Sequence, residues 1–335
     1  LRDDYSFVAV LQQNVLEDLL ESALERRGIE IEWNHHLVSL EPSDDGVIAT
    51  IDRLERSSFG YAVAHMEWVV AKTRRIEVPF VIGADGHLSL VRSALSVEFR
   101  NYRAPRHFAV FEFKTDAELE HEMRLVFHDD TTNVVWPLPD GYCRWSFELS
   151  EFEALLAPRE KDRLEFEVGK ARYPILAPEH LHELLRERAP WFQGGVDDLR
   201  WRTVVRFDTR LATSFGRNRM WLAGDAAHMT GPAGIQSMNV GLVEANDLAG
   251  RLAAVIRGRA DMSSLAEYER EHMANWRFLL GMLGTFDPGP NAEPWVERCV
   301  ERLLPSLPAS GEDLVALARQ IGIEANVPAG TAVAG

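Results

Sequence analysis

The stretch that most constrains what this chain can fold into is residues 219–247, where a short apolar segment leads through an acidic, glycine-bearing turn into an amphipathic segment. Met220 to Ala223 predicts a short buried strand, and Gly224 permits a sharp turn at its end. Asp225 then lies at the strand terminus, where a carboxylate can accept hydrogen bonds from the hydroxyls of a ribityl or ribose chain. The pattern therefore predicts a strand, a turn and a helix that together hold a dinucleotide.

The residues after this turn predict a loop and then a helix. Gly231, Pro232 and Gly234 are breakers that keep backbone N–H groups free and let a planar ligand approach the main chain closely. Asn239 is a candidate helix cap, and the apolar spacing from Val240 onward predicts that the helix begins there. The positive end of this helix would face the ligand and favour negative charge, such as a reduced isoalloxazine ring carries.

These residues resemble the second FAD-binding motif of the para-hydroxybenzoate hydroxylase type of flavoprotein monooxygenase (class A). The resemblance rests on Gly-Asp-Ala-Ala-His at 224–228, with Pro232, Gly234 and Asn239 in register. Two glycines of the family pattern are replaced here, by Ile235 and Ser237. The resemblance implies that FAD is bound by the turn and the loop, through Gly224, Asp225, Pro232, Ala233, Gly234, Ile235, Gln236, Ser237, Met238 and Asn239.

A second segment, Val-Ile-Gly-Ala-Asp-Gly-His-Leu-Ser-Leu-Val-Arg at 81–92, resembles the Asp-Gly motif of the same family. The resemblance implies that Asp85 and Gly86 contact FAD, and that the backbone of this segment serves the nicotinamide donor. Ser89 and Arg92 would then support the turn. Taken alone, the segment fits an ordinary strand with an Asp-Gly turn and a surface arginine equally well.

A third, shorter match lies at Leu11 to Glu17, where related enzymes place a glutamine or arginine against FAD. Gln12 is the position that this resemblance assigns to the cofactor, although a surface glutamine explains it almost as well. The apolar spacing that follows predicts a helix from about Asn14 to Arg27. A strand from Ile29 to Trp33 is expected after it.

The family begins with a strand, a Gly-x-Gly-x-x-Gly turn and a helix that hold the ADP pyrophosphate. Among the 23 glycines of this chain, no two are separated by a single residue, so the sequence lacks that turn. We expect that these residues are the later part of a longer enzyme. Its first strand, glycine turn and early helices would lie earlier in the same chain, have been removed, or lie on another chain. The alternative is a short relative that has lost the cofactor site.

The order of the elements and the resemblance together predict a mixed α/β (α+β) fold. Its parts are a FAD/NAD(P)-binding Rossmann-like layer that is incomplete at its N-terminus, an inserted, mainly antiparallel substrate sheet, and a helical C-terminus. With 335 residues and 46% hydrophobic content, the chain can form about two domains. We expect a partial FAD-binding domain at 1–99, the substrate sheet at 100–206, the second half of the FAD-binding domain at 207–260, and C-terminal helices with a tail at 261–335.

Alternating apolar residues predict the strands of the substrate sheet. On the strand at 143–149, Trp145 and Phe147 share one face, which is apolar enough to meet an aromatic substrate. Together with Trp136 they are the candidate pocket residues, although a face packed against helices is the commoner arrangement. The expected strands are 108–113, 123–128, 133–136, 143–149 and 201–207.

Three further features predict local structure outside this sheet. Asp44-Asp45-Gly46 predicts a hairpin turn between strands at 37–40 and 47–51. Helices are expected from Ser264 to about Gly284 and from about Gly311 to Gln320, the second capped by Ser310. The closing residues from Val327 are expected to fray.

Composition and missing motifs exclude several function classes. The formal charge of −16 argues against a nucleic-acid or anionic-membrane partner. Two cysteines are too few for a disulfide framework, so reduced thiols and a cytoplasmic location are expected. No metal site is expected, because the histidines lack His-Glu-x-x-His spacing, and His228 lies inside the flavin motif, where a structural hydrogen bond is its commoner role. Hydrolase and ATPase motifs do not occur either.

The resemblance implies a FAD-dependent monooxygenase that hydroxylates an aromatic or other electron-rich small molecule with O2 and NADPH or NADH, through a flavin C4a-hydroperoxide. Because the flavin carries this chemistry, no catalytic side chain is assigned. A monomer or a homodimer is expected. Three alternatives remain open: a non-hydroxylating flavoenzyme of the same superfamily, such as a halogenase or a saturating reductase; a degenerate, non-catalytic binding module; and a plain nicotinamide dehydrogenase.

Overall fold

A computed structural model describes residues 10–59, 65–120, 122–150, 165–168, 171–231, 236–303, 306–307, 309 and 311–326. The helices are α1 (Gln13–Glu25), α2 (Leu90–Ala94), α3 (Pro178–Arg188), α4 (Gln236–Ile256), α5 (Ser263–Leu279), α6 (Pro294–Leu303) and α7 (Gly311–Gln320). The first strands are β1 (His35–Pro42), β2 (Val47–Phe59), β3 (His65–Val78), β4 (Val81–Gly83), β5 (Phe99–Asn101), β6 (Arg106–Lys114), β7 (Arg124–His128), β8 (Thr131–Pro137) and β9 (Tyr142–Leu149). The remaining strands are β10 (Glu165–Val168), β11 (Ala171–Pro174), β12 (Asp197–Phe207), β13 (Arg210–Ala212), β14 (Gly216–Arg217), β15 (Met220–Leu222), β16 (His228–Met229), β17 (Thr285–Pro288) and β18 (Ile323–Asn326).

A five-stranded antiparallel sheet, in the order β12-β6-β9-β8-β7, forms the middle of the chain. All five strands expected from the alternation are present, and a hairpin through Pro139–Gly141 joins β8 to β9. The register places Phe111 opposite Trp145, and this face packs on Leu181 and Leu184 of α3. The inserted, mainly antiparallel sheet predicted from the sequence is therefore confirmed.

Two short strands, β4 and β15, lie side by side and parallel, with Leu222 opposite Gly83. The second core of the molecule packs beneath them and contains Tyr268 and Trp276 of α5, both fully buried. The Tyr268 hydroxyl donates a hydrogen bond to the carbonyl oxygen of Leu222, at 3.0 Å. Burial raises the pKa of this phenol. The parallel pair and its helices form the Rossmann-like layer, and the mixed α/β class is confirmed.

The antiparallel sheet β1-β2-β3 contains the expected hairpin, closed by a bond from the Ser43 N–H to the Gly46 carbonyl at 3.1 Å. The helix expected at the end of the chain is α7, with the predicted bounds. The sequence analysis did not predict α6, which packs its buried Val296 and Leu303 near Leu125 and Phe127 of β7. The expected domain boundaries stay predictions.

The strand expected from Ile29 to Trp33 does not form. This segment pairs with no strand among the described residues, and Ile29 and Trp33 remain 50% and 66% exposed. The helix α1 before it has no buried residue. The prediction was wrong because apolar alternation indicates the propensity for a strand, whereas the strand itself requires a partner that supplies its hydrogen bonds.

Two helix limits also differ from the predictions. The helix α4 begins at Gln236, four residues before Val240, because no glycine or proline interrupts residues 236–240. Asn239 therefore lies inside the helix and is not its cap. The helix α5 ends at Leu279 and not at about Gly284, because Gly281 takes a φ of 70°, which ends a helix.

Several expectations fall outside the described residues, namely the loop positions 232–235, the Ser310 cap and the tail from Val327. Within the part of the chain that the structure describes, no helix is both long and apolar enough to cross a membrane.

The two cysteines should differ sharply in reactivity. Both are free, but Cys143 is fully buried on β9, and burial, with a smaller effect from Glu112, raises the pKa of its thiol to about 12. Since the thiolate is the reactive form, we expect that a thiol reagent at pH 8 titrates only Cys299 in the folded protein and both cysteines in denaturant. A Cys299→Ser variant that still reacts rapidly while folded would contradict this.

Candidate functional site

Two turns lie side by side where the parallel strands β4 and β15 end. The first turn follows Gly83 and the second follows Leu222, and the Ala223 N–H donates to the Gly83 carbonyl at 3.0 Å. Ligands of open α/β sheets bind at the carboxyl ends of parallel strands. The structure therefore brings the two motifs singled out in the sequence to one edge of one sheet.

The second turn presents Asp225 to solvent. Gly224 has a φ of 61°, the left-handed conformation that its turn requires, and Asp225 is exposed. The carboxylate makes no hydrogen bond to any residue that the structure describes. A free acceptor at a strand end is what the hydroxyls of a ribityl chain need, so this residue fits the role that the resemblance implies.

The first turn uses its aspartate differently. Asp85 Oδ2 accepts hydrogen bonds from the backbone N–H groups of Leu90, at 2.7 Å, and Val91, at 3.2 Å, so it caps the short helix α2. Ser89 caps the same helix by accepting from the Arg92 N–H at 2.9 Å. Only Oδ1 of Asp85 is left for a ligand, and its expected contact with FAD stays a prediction, as does that of Gly86.

Arg92 ties the two turns together. Its Nη1 donates to the Ala226 carbonyl at 2.8 Å, and its Nη2 donates to the His87 carbonyl at 2.6 Å. The guanidinium carbon lies 4.0 Å from the ring centroid of Phe99. Burial lowers the pKa of Arg92, against the opposing effect of Asp85. The side chain is 8% exposed, so it is not a surface arginine but the direct link between the two motifs.

A buried carboxylate holds the second turn from behind. His228 Nε2 lies 2.5 Å from Glu244 Oε2 of α4, and both side chains are fully buried. Trp276 Nε1 of α5 donates to Glu244 Oε1 at 2.5 Å, and its ring stacks on His228 with centroids 3.9 Å apart. The structural hydrogen bond expected for His228 is therefore present, and the sequence analysis did not identify its partner.

The N-terminal end of α4 follows the loop. Met238 and Asn239 are exposed in its first turn and Ser237 is half-buried. A Cβ added at Gly241 would lie 3.5 Å from Gly224 Cα, so α4 passes close to the second turn. The contacts with FAD expected of the loop and of the first residues of α4 stay predictions.

Trp145 and Phe147 are not pocket residues. Both are fully buried, they stack on each other with centroids 4.9 Å apart, and they belong to the core beneath α3. The expectation failed because alternation shows which residues share a face and not what covers that face. Trp136, opposite Arg144 on the other face of the sheet, is half-buried and remains a candidate.

The opposite face of the sheet carries Phe108, Val110, Val205 and Phe207. A Cβ added at Gly231 would lie 3.8 Å from Phe207 Cβ, so this face approaches the residue that precedes the loop. These residues were not expected from the sequence, because both faces of β6 are apolar. The two faces are distinguished by the pairing of β6 with β12, which places Val205 opposite Phe108.

A cavity of about 780 Å³ lies beside this face. Its walls include Arg106 and Glu148 of the sheet, whose side chains form a bidentate pair at 2.6 and 2.7 Å, and Phe286 of β17. Arg106 is the register partner of Phe207, so the cavity and Gly231 lie on the same face of the sheet.

Gln12 is exposed and occupies the N-cap position of α1, where its side chain makes no capping hydrogen bond. Nearby, Val10 lines a separate cavity with Thr115 and Tyr142. No described contact joins Gln12 to the turn at 224–227, and its role in binding FAD stays a prediction. In the described ranges there is no cluster of three or more His, Cys, Asp or Glu side chains that could hold a metal ion.

Comparison with known proteins agrees with this geometry. A family model described as FAD binding domain matches residues 1–278. A 6-methylpretetramide 4-monooxygenase of Streptomyces rimosus is 29% identical over 270 residues, which are 80% of this chain and 42% of that protein. A rifampicin monooxygenase of Streptomyces venezuelae is 28% identical over 298 residues, 86% of this chain and 55% of that protein. The chain thus spans about half the length of these relatives.

Solved structures show the same fold. The aromatic hydroxylase CabE from angucycline biosynthesis matches with a TM-score of 0.57 and 24% identity, over 82% of this chain and 50% of that one. A ternary complex of aklavinone-11 hydroxylase with FAD and aklavinone matches with a TM-score of 0.58 and 24% identity, over 81% of this chain and 46% of that one.

Removing the link between the two turns should destabilise the protein. We expect Arg92→Met, which keeps the apolar stem but loses both charge-assisted hydrogen bonds, to lower the free energy of unfolding by about 2 kcal/mol or more. Urea unfolding measures this. The exposed Arg217, with one bond of 3.3 Å to the Leu95 carbonyl, is the matched control, and Arg217→Met should cost less than about 0.5 kcal/mol. Equal losses would contradict the assignment.

Trp145 should matter for stability and not for ligand choice. Trp145→Ala leaves a cavity in the core beneath α3, so we expect the free energy of unfolding to fall by about 3–5 kcal/mol. Trp201→Ala, on the same sheet but 40% exposed, should cost much less. Urea denaturation followed by circular dichroism checks both. A Trp145→Ala variant of unchanged stability would return this residue to the list of pocket candidates.

Proposed function

We propose that this chain, which belongs to the FAD binding domain family, is part of a FAD-dependent monooxygenase that hydroxylates an aromatic or other electron-rich small molecule with O2 and NADPH or NADH. The observation that carries the proposal is the free carboxylate of Asp225, held at the end of β15 beside the Asp-Gly turn by Arg92. The curated relatives support the type of reaction, since they are named as hydroxylases and monooxygenases.

In this proposal the chain binds and orients the cofactor. Asp225 accepts hydrogen bonds from ribityl hydroxyls, and the N-terminal end of α4 offers free N–H groups and positive charge to the flavin ring. The bound flavin supplies the oxygen-transfer chemistry, by the route that the resemblance implies. The side chains of the opposite face, with Phe108 fully buried and Phe207 half-buried, exclude water beside it.

We assign the substrate to the cavity between the opposite face and β17. Its volume of about 780 Å³ falls within the range of ordinary small-molecule sites and leaves room for several fused rings. The Arg106–Glu148 pair on its wall can exchange hydrogen bonds with phenolic or carbonyl groups. Relatives named for rifampicin and for aklavinone support a substrate of this size.

We also propose that the ADP-binding strand and glycine turn of the enzyme pack against the outer edge of β4. Within the described residues β4 pairs only with β15, so its outer edge presents backbone N–H and C=O groups that a further strand could pair with. Ile82 on β4 is 45% exposed, and Leu19 and Leu20 on the helix α1 are 57% and 50% exposed. A strand added at this edge would supply the partner that β4 lacks.

Asp225 should be essential for retention of FAD. In Asp225→Ala the charged acceptor is lost, so we expect the affinity for FAD to fall by about tenfold to a hundredfold, corresponding to the net loss of about 1.5–3 kcal/mol for a hydrogen bond to a charged group. Titration of FAD followed by the quenching of its fluorescence measures the affinity. The circular dichroism spectrum should stay that of the folded protein.

The matched control is Asp129→Asn, on an exposed turn between β7 and β8. This variant should bind FAD as the unaltered protein does. An Asp225→Ala protein that binds FAD with the affinity of the unaltered protein would overturn the assignment of the second turn.

A further inference from the structure

Glu244 lies at the centre of a buried polar cluster between the second turn, α4 and α5. Its Oε2 meets His228 Nε2 at 2.5 Å and its Oε1 accepts from Trp276 Nε1 at 2.5 Å. On a second side, His272 Nδ1 of α5 lies 3.8 Å from Oε1. Glu244 is fully buried, and burying a carboxylate is costly unless its oxygens are well paired. The protein thus maintains a costly group directly behind the turn that carries Asp225.

The outer part of the cluster leads away from this turn. His272 Nε2 lies 2.9 Å from Asp247 Oδ2, and Arg251 Nε contacts both oxygens of Asp247 at 2.9 Å. Arg251 also donates to Glu271 at 2.6 Å. Burial acts to raise the pKa of Asp247, but the hydrogen bonds from Arg251 and His272 outweigh it and hold the pKa below its ordinary value. These contacts join α4 to α5, and none of them reaches the turn directly.

The contact with His228 is the one that reaches the turn. His228 opens β16, and Leu211 is its register partner on β13. The neighbouring Ala227 donates its N–H to the Gly224 carbonyl at 2.8 Å and accepts from the Ala212 N–H at 2.7 Å. Fixing the imidazole therefore fixes the backbone on which Asp225 stands. In the described residues His228 Nδ1 is buried without a hydrogen-bond partner, so the hydrogen bond to Glu244 sets the rotation of the ring within the stack on Trp276.

We propose that Glu244 is a positioning residue that acts through His228 to hold the turn at 224–227 in the conformation that receives the cofactor hydroxyls. The role of Asp225 toward FAD in this inference rests on the proposed function. Glu244 itself is fully buried behind the turn. Its substitution should therefore loosen the turn first, and weaken FAD binding as a consequence.

A polar side chain that merely fills the core would behave differently. It would stabilise the whole domain, and its loss would lower the protection of backbone amides from hydrogen exchange throughout the domain. A positioning residue lowers protection locally, and its effect disappears once His228 can no longer transmit it. Local opening and pairwise coupling are both measurable, by amide hydrogen exchange and by a double-mutant cycle.

The experiment compares Glu244→Gln with Asp247→Asn in the full chain. The glutamine keeps the shape and can still accept from Trp276, but it turns an amide donor or a neutral acceptor toward His228. Asp247→Asn perturbs the same helix one turn later without touching the turn. Hydrogen exchange is followed at the N–H groups of Ala212, Ala223 and Ala227, whose acceptors lie in or beside the turn.

We expect Glu244→Gln to speed exchange at Ala212 and Ala227 by about tenfold or more, while Asp247→Asn lowers the melting temperature but leaves these amides protected. The affinity for FAD should fall by a similar factor in Glu244→Gln alone. When Glu244→Gln is added to a His228→Asn protein, the exchange rates should change little further. Unchanged exchange in Glu244→Gln, equal loosening in Asp247→Asn, or additive effects in the double variant would each overturn the proposal.

Replacement variants and the separate measurement of FAD binding distinguish failure of this proposal from failure of the proposed function. If Glu244→Gln does not fold, Glu244→Asp and His228→Asn replace it, and both should loosen the same amides. If the enzyme binds no FAD when its ADP-binding unit is present, the proposed function fails, while the exchange measurement still judges the positioning role. If FAD binds and the turn is unaffected by Glu244, the positioning role fails and the proposed function stands.

Discussion

The guanidinium of Arg92 is the interaction on which the candidate site depends. The strands β4 and β15 are only three residues each, and few backbone bonds hold them side by side. Arg92 donates to a carbonyl in each turn that follows these strands, so two motifs about 140 residues apart in sequence become one rigid edge. The Glu244–His228 pair supports the second turn from the opposite side. The exposed carboxylate of Asp225 can therefore have a fixed position although it has no partner of its own among the described residues.

Much of this site could be predicted from the sequence, because its local rules are strong. Strand, positive-φ glycine and aspartate occur together in both motifs, and the structure confirms the strands and the turns. The sequence could not show what supports them. In the sequence pattern alone, Arg92 fits a supporting residue and a surface arginine equally well. Glu244 lies 16 residues beyond His228, outside any local pattern. Long-range partners of this kind are set by helix packing, which periodicity does not specify.

The same distinction explains the errors. Alternation correctly placed Trp145 and Phe147 on one face, but α3 covers that face, and the face that approaches Gly231 carries Phe108 and Phe207 instead. The segment at 29–33 has the composition of a strand and no partner with which to pair among the described residues. The outer edge of β4, with the exposed side chains of α1, is the surface to which we assign the ADP-binding unit. In each case the sequence supplies propensity, and tertiary packing decides the outcome.

The central claim is that the two turns form a flavin site that works in a monooxygenase. The most direct test is the visible absorption spectrum of the full enzyme, with its ADP-binding unit present, after incubation with FAD and removal of free flavin, recorded under air before and after addition of NADPH. We predict oxidised-flavin bands that NADPH bleaches, and that it bleaches faster when a phenolic compound is present. A colourless protein that cannot be loaded with FAD would contradict the claim and would favour the non-catalytic binding module.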